Sequence, residues 1–273
     1  MSDVFFGRVA QCLACGDPAR KLGLTRELFA ALFGGTLEVD PAIPLQREVD
    51  AGRPARPPLV APRELARRNP ATPAGRVALL HAVAHIEFNA INLAWDAVYR
   101  FRGLPVAYYH DWARVAAEEA YHFRLLAGRL AGLGASYGEL PAHDGLWQAA
   151  RDTAHDPLVR MALVPRVLEA RGLDVSPGMI ERLRALGDDE TVALLRVILA
   201  DEVGHVRVGT RWFRYLCARR GLEPDETFGA LLREYMPGVV RPPFHVAARR
   251  DAGFSRRELD ELEALAAGLS DSR

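Results

Sequence analysis

Leu199-Ala-Asp201-Glu202-Val-Gly-His205-Val-Arg207 lies inside a long stretch whose apolar residues recur at helical spacing. On a helix, Glu202 and His205 share one face, one turn apart, so both can reach one metal ion. A single Glu-x-x-His is a weak signal, but the chain holds a second, Glu119-Ala-Tyr-His122, also in a helical pattern. A lone glutamate on an apolar segment precedes each: Glu87 in His85-Ile-Glu87-Phe-Asn, and Glu169 in Leu163-Val-Pro-Arg-Val-Leu-Glu169-Ala-Arg.

The spacing makes the pattern specific. Glu87 to Glu119 is 32 residues and Glu169 to Glu202 is 33, while Glu87 to Glu169 is 82 and Glu119 to Glu202 is 83. The chain thus repeats one unit, a helix with Glu and then a helix with Glu-x-x-His. That is the ligand set of a carboxylate-bridged dinuclear centre in a four-helix bundle. The expected ligands are Glu87, Glu119, His122, Glu169, Glu202 and His205, with Glu119 and Glu202 as bridges and as the residues closest to the chemistry. Four buried carboxylates without a cation would repel and would cost several kcal/mol each in desolvation.

With 273 residues, 49% hydrophobic and 26% charged, the composition is that of a globular protein and excludes wholesale disorder. Thirty-five basic residues balance 35 acidic ones, so no positive field favours nucleic acid. The apolar runs read as too short and too charged to span a bilayer, no signal pattern opens the chain, and a cytoplasmic setting is expected. Lys21 is the only lysine, which reads as base-composition bias. Cys12-Leu-Ala-Cys15 reads as two small buried residues on a helix, with a redox-active pair as the alternative.

Residues 3–34 suggest one or two helices punctuated at Lys21-Leu-Gly. The proline-rich residues 36–73 suggest an extended arm along the bundle, or a linker. Thr72-Pro73 is a cap followed by proline and opens the first bundle helix, which Gly103 and Pro105 end. The second runs over about 108–133. Asp156-Pro157 opens the helix carrying Glu169, expected to end at Gly172. Pro165 must disturb that helix, four residues before Glu169. Ser176-Pro177 suggests a separate short helix, and Asp188 caps the last bundle helix, to Gly221. Helices over 223–235 and 255–269 follow. No strand pattern appears, so the fold expected is all-α: an arm at 1–72, a four-helix bundle at 73–221 and a C-terminal helical extension at 222–273, in one globular unit.

Around the ligands, Asp201 and Glu118 each directly precede a ligand glutamate. Metal-bound His commonly donates its other ring nitrogen to a carboxylate. The repeat suggests a cross-pairing, Asp201 with His122 and Glu118 with His205, although Glu118 also reads as a solvent-facing residue. Tyr121, Tyr108 and Tyr109 are candidates for a phenol near the metals, with core packing as the plainer reading of Tyr121. His85 is about 200° around its helix from Glu87, which favours a hydrogen-bonded histidine over a ligand.

The six positions resemble the ferritin-like superfamily of ferritins, ribonucleotide reductase small subunits, rubrerythrins, multicomponent monooxygenases and a tRNA hydroxylase. More narrowly the chain resembles the ferritin-like family called domain of unknown function 455. That likeness rests on His81-Ala-Val-Ala-His-Ile-Glu87, Glu118-Glu-Ala-Tyr-His-Phe123, Tyr137-Gly-Glu-Leu-Pro-Ala-His-Asp-Gly-Leu-Trp147, Leu168-Glu-Ala-Arg-Gly-Leu-Asp174 and Asp201-Glu-Val-Gly-His-Val206, with Pro243-Phe-His-Val-Ala-Ala-Arg249 and Ala252-Gly-Phe254 beyond. It covers the chain from about residue 55.

The donor set suits two iron ions, or manganese, able to activate dioxygen. The expected function is oxidation or hydroxylation of an unknown small organic substrate with an external electron donor. Ferroxidase activity and a metal-stabilised binding scaffold are the alternatives. The superfamily resemblance also implies a homodimer, while the balanced charge disfavours a nucleic-acid partner and the short apolar runs a membrane.

Overall fold

Short polar caps followed by proline set several helix starts. Asp17, Thr72 and Asp156 each accept a backbone N–H of the first turn, from Arg20, Gly75 and Leu158 at 2.7, 3.0 and 2.7 Å. Each is followed by a proline whose missing N–H costs nothing at that position. The computed structural model describes residues 4–65 and 69–268. Among these residues the protein is all-α, with one isolated bridge between Leu59 and Ala142 and no strand. The helix limits expected at residues 3 and 269, and arm residues 66–68, lie outside the described residues. The chain divides into two compact units, residues 1–148 and 149–273.

The first unit holds α1 (Val4–Ala14), α2 (Pro18–Phe33), α3 (Pro73–Arg100) and α4 (Val106–Gly132). The first break falls at Cys15–Asp17, and Lys21 and Gly23 lie inside α2 rather than punctuating it. Asp17-Pro18 carries the same cap-plus-proline signal as Thr72-Pro73 and Asp156-Pro157. Helices α3 and α4 form a hairpin across a short turn through Gly103, at φ +70°. Tyr108 and Tyr109, both fully buried, donate their hydroxyls to Ala97 O and Phe101 O and lock that turn.

The arm packs on this unit. Gly52 N donates to Leu13 O at 2.8 Å, Gly103 N to Pro41 O at 3.0 Å, and Val60 and Ala142 exchange backbone bonds with the opposite segment. A Cβ on Gly52 would collide with the Ala14 carbonyl, so this approach requires glycine. Helix α3 is, against expectation, long and apolar enough to cross a membrane by length and composition. However, 67% of its apolar window is buried in the protein, as in a core helix.

Helix α5 (Gly145–Asp152) contains the division between units. In the second unit, α6 (Pro157–Leu163), a π-helical turn (Val164–Glu169) and α7 (Ala170–Ala185) succeed one another, and all three pack on α8 (Asp189–Arg220). The sequence expectation of an end at Gly172 and a new start at Ser176 is corrected: α7 runs through Gly172 and Pro177. Its buried residues Ala170, Leu173, Asp174, Ile180 and Leu183 keep helical spacing across both breakers, and that continuous packing face outweighs their low propensity. Asp188 caps α8 by accepting Thr191 N at 3.2 Å, and Gly221, at φ +66°, ends it. Helices α9 (Pro224–Tyr235), α10 (Val246–Asp251) and α11 (Arg256–Gly268) complete the unit.

Candidate metal centre

In the first unit the hairpin brings Glu87 of α3 against Glu119 and His122 of α4. The three are 3, 0 and 0% exposed. His122 Nδ1 lies 3.3 Å from Glu87 Oε2 and 3.5 Å from Glu119 Oε2. One donor atom from each of the three falls within 4.8 Å of the others. Burial alone would push the His122 imidazole down, but hydrogen bonds and charge from Glu119 and Glu87 outweigh it and raise its pKa to about 11. Two carboxylates out of water therefore hold a proton on the histidine, the response of a site that favours positive charge. The donors are oxygen and imidazole nitrogen without thiolate, a set that fits iron or manganese.

The second unit repeats the Glu-x-x-His half of the arrangement. Glu202 and His205 on α8 are 9 and 1% exposed, with His205 Nδ1 3.6 Å from Glu202 Oε1. In both units the histidine turns the same ring nitrogen toward the glutamate three residues earlier. Glu169 is half-buried and ends the π turn, where Ala170 N donates to Pro165 O, one residue farther back than in an α-helix. The disturbance expected from Pro165 thus takes the form of a π bulge, a feature frequent at functional sites.

Glu118 and Asp201 are both half-buried. Tyr121 is 40% exposed, with the Arg124 guanidinium 5.2 Å over its ring. The Tyr108 and Tyr109 hydroxyls are held by backbone carbonyls at the α3–α4 turn. His85 is paired with Tyr137 OH at 3.0 Å and His143 O at 3.2 Å, and burial pushes its pKa down to about 4. It is a neutral, hydrogen-bonded histidine. His81 accepts Gly138 N at 2.9 Å, and His245 caps α10 by accepting Ala248 N. Cys12 is buried against Thr25 Oγ1 at 3.1 Å, and burial raises its thiol to about 11, which makes it a poor nucleophile.

Sequence reasoning missed the buried charges. Lys21 is fully buried, its ammonium donating to Cys12 O, Leu13 O and Asn92 Oδ1. Arg166 pairs with Glu258 at 2.6 Å, both without exposed side chain, and Arg249 pairs bidentately with Asp174. Only the unusual placement of Arg166 in an apolar run hinted at any of them.

The family described as "Protein of unknown function (DUF455)" matches residues 14–260, nine-tenths of the chain. The chain belongs to DUF455. Its family match starts at residue 14, well before the likeness from about residue 55, and takes in α2, the arm and the start of α11. This DUF455 chain is also similar to an uncharacterized protein of Haemophilus influenzae, 43% identical over 267 residues that cover 94% of this chain and 92% of the relative. No solved structure matches the chain.

Proposed function

We propose that this DUF455 protein is a ferritin-like oxidoreductase, in which the α3/α4 hairpin and the α6–α7 rod with α8 form one four-helix bundle around two metal ions. The observation that carries the reading is the buried Glu87–Glu119–His122 cluster, with the Glu202–His205 copy at the same spacing and ring orientation. Glu87, Glu119 and His122 would hold one ion, and Glu169, Glu202 and His205 the other, with Glu119 and Glu202 shared. Two ferrous ions there would supply electrons and Lewis acidity for reducing dioxygen. The protein's part is to keep charged donors out of water, fix both Nδ1 atoms as ligands and, through Asp201 and Glu118, orient the opposite rings. The oxidised compound is a small organic molecule, and electrons come from an external donor.

The test is spectroscopic. Protein loaded anaerobically with Fe(II) is expected to gain near-ultraviolet absorption on mixing with oxygen, consuming oxygen in proportion to protein. Glu202→Ala is expected to lose one ion and the reaction while keeping its helical circular dichroism. Wild-type metal content and oxygen consumption in Glu202→Ala would contradict the assignment.

A further inference from the structure

In the second unit, residues 241–258 make polar contacts to the π turn carrying Glu169 and to the start of α7 that follows it. Arg166 lies within the turn, fully buried, its guanidinium enclosed by the rings of Phe228, Phe254 and Phe213 at 4.1, 4.4 and 4.6 Å. Its Nε donates to Thr210 Oγ1 at 3.2 Å, and its charge meets Glu258 of α11 at 2.6 Å. Arg249 of α10 reaches the same turn from another side. It donates to Arg166 O at 3.4 Å while its fork holds Asp174 at 2.9 and 2.7 Å. Asp174 also accepts His245 N at 2.8 Å. Just past Glu169, the half-buried Arg171 donates to the carbonyls of Arg241 and Pro243 at 2.9 and 3.0 Å.

A π turn has poorer packing than an α turn and needs outside support to persist. Here that support is two buried ion pairs, costly to desolvate and hard to justify as stability alone, because apolar residues fill a core as well or better. What buried pairs do provide is a fixed direction. From this we infer that the C-terminal segment is a clamp that sets the π turn and so aims Glu169, with Arg249, Arg171 and Glu258 as positioning residues. The clamp itself stands on contacts within one unit; its consequence for metal rests on the reading of Glu169 as a ligand.

The test uses the full chain with Arg171→Ala, which removes a half-buried side chain at the rim and leaves both buried ion pairs in place, and Arg249→Lys, which keeps charge and loses the fork. In the metal-free protein, the amides of Arg166–Ala170 are expected to exchange at least tenfold faster in both variants, with α8 amides unchanged. In Mn(II) titrations followed by the signal of free Mn(II), both are expected to bind one ion as wild type does and the other about 10–100-fold more weakly. Unchanged exchange in the π turn overturns the clamp. Faster exchange with both Mn(II) affinities unchanged overturns its link to Glu169. Wild type that binds no Mn(II) sinks the metal reading instead, and the exchange experiment still decides the clamp.

Discussion

Lys21 and the ligand residues show opposite ways of burying charge. The carboxylates of Glu87 and Glu119 share their burial with His122, whereas the Lys21 ammonium meets two carbonyls at the end of α1 and the Asn92 amide oxygen. Burial pulls its pKa down to about 8. The folded value then lies below the usual value of about 10.4, so the folded chain gives up this proton first. Lys21 thus contributes least to stability below pH 8, and its contribution rises between about pH 8 and 10.4. As the only lysine, it gives a single side-chain resonance in protein labelled with 15N-lysine, expected to titrate near pH 8. A midpoint above 10 would show that the three acceptors outweigh desolvation. The ligand residues were legible because Glu-x-x-His geometry is local to one helix turn. Lys21, Arg166 and Asp174 were not, because their burial depends on partners distant in sequence: Asn92, Glu258 and Arg249.

Among the elements, the starts at Thr72-Pro73 and Asp156-Pro157 and the stops at Gly103 and Gly221 were legible. The start at Asp17-Pro18 was missed, and the stop at Gly172 and the start at Ser176-Pro177 were misread. Gly172 and Pro177 weaken a helix by local rules, yet the apolar face of α7 continues through both, and packing on α8 decides the outcome. The π turn was foreshadowed by Pro165, but its length was not, since it depends on the clamp and on α8. Helix α8 approaches the turn at Gly209, where an added Cβ would collide with the Pro165 ring. Elsewhere in a helix, Gly→Ala stabilises by about 1 kcal/mol. Gly209→Ala is expected to destabilise by about 1–3 kcal/mol, read from the urea midpoint. A midpoint equal to or above wild type would show that the approach is looser than described.

Taken as a whole molecule, the duplication seen in the spacing of six residues reappears as two compact units, each containing a long helical pair with one Glu-x-x-His. The all-α fold was plain from the pattern. That the arm packs rather than hangs as a linker was one of two readings, and its contacts were not legible, because they are backbone bonds such as Gly52 to Leu13, which leave no side-chain signature. If both units contribute to one dinuclear centre, metal binds the folded chain only and must stabilise it. At 100 times the dissociation constant the gain is about 2.7 kcal/mol, so chelation is expected to lower the melting temperature by several degrees. An unchanged melt would mean that the metal, if bound, is not coupled to folding.

The most direct test of the dinuclear centre is iron per chain after anaerobic Fe(II) loading and desalting. The account predicts about two irons per chain, falling to one or none in Glu87→Ala and Glu169→Ala with helix content unchanged. Wild-type protein that retains no iron, or the same two irons in both variants, would contradict it.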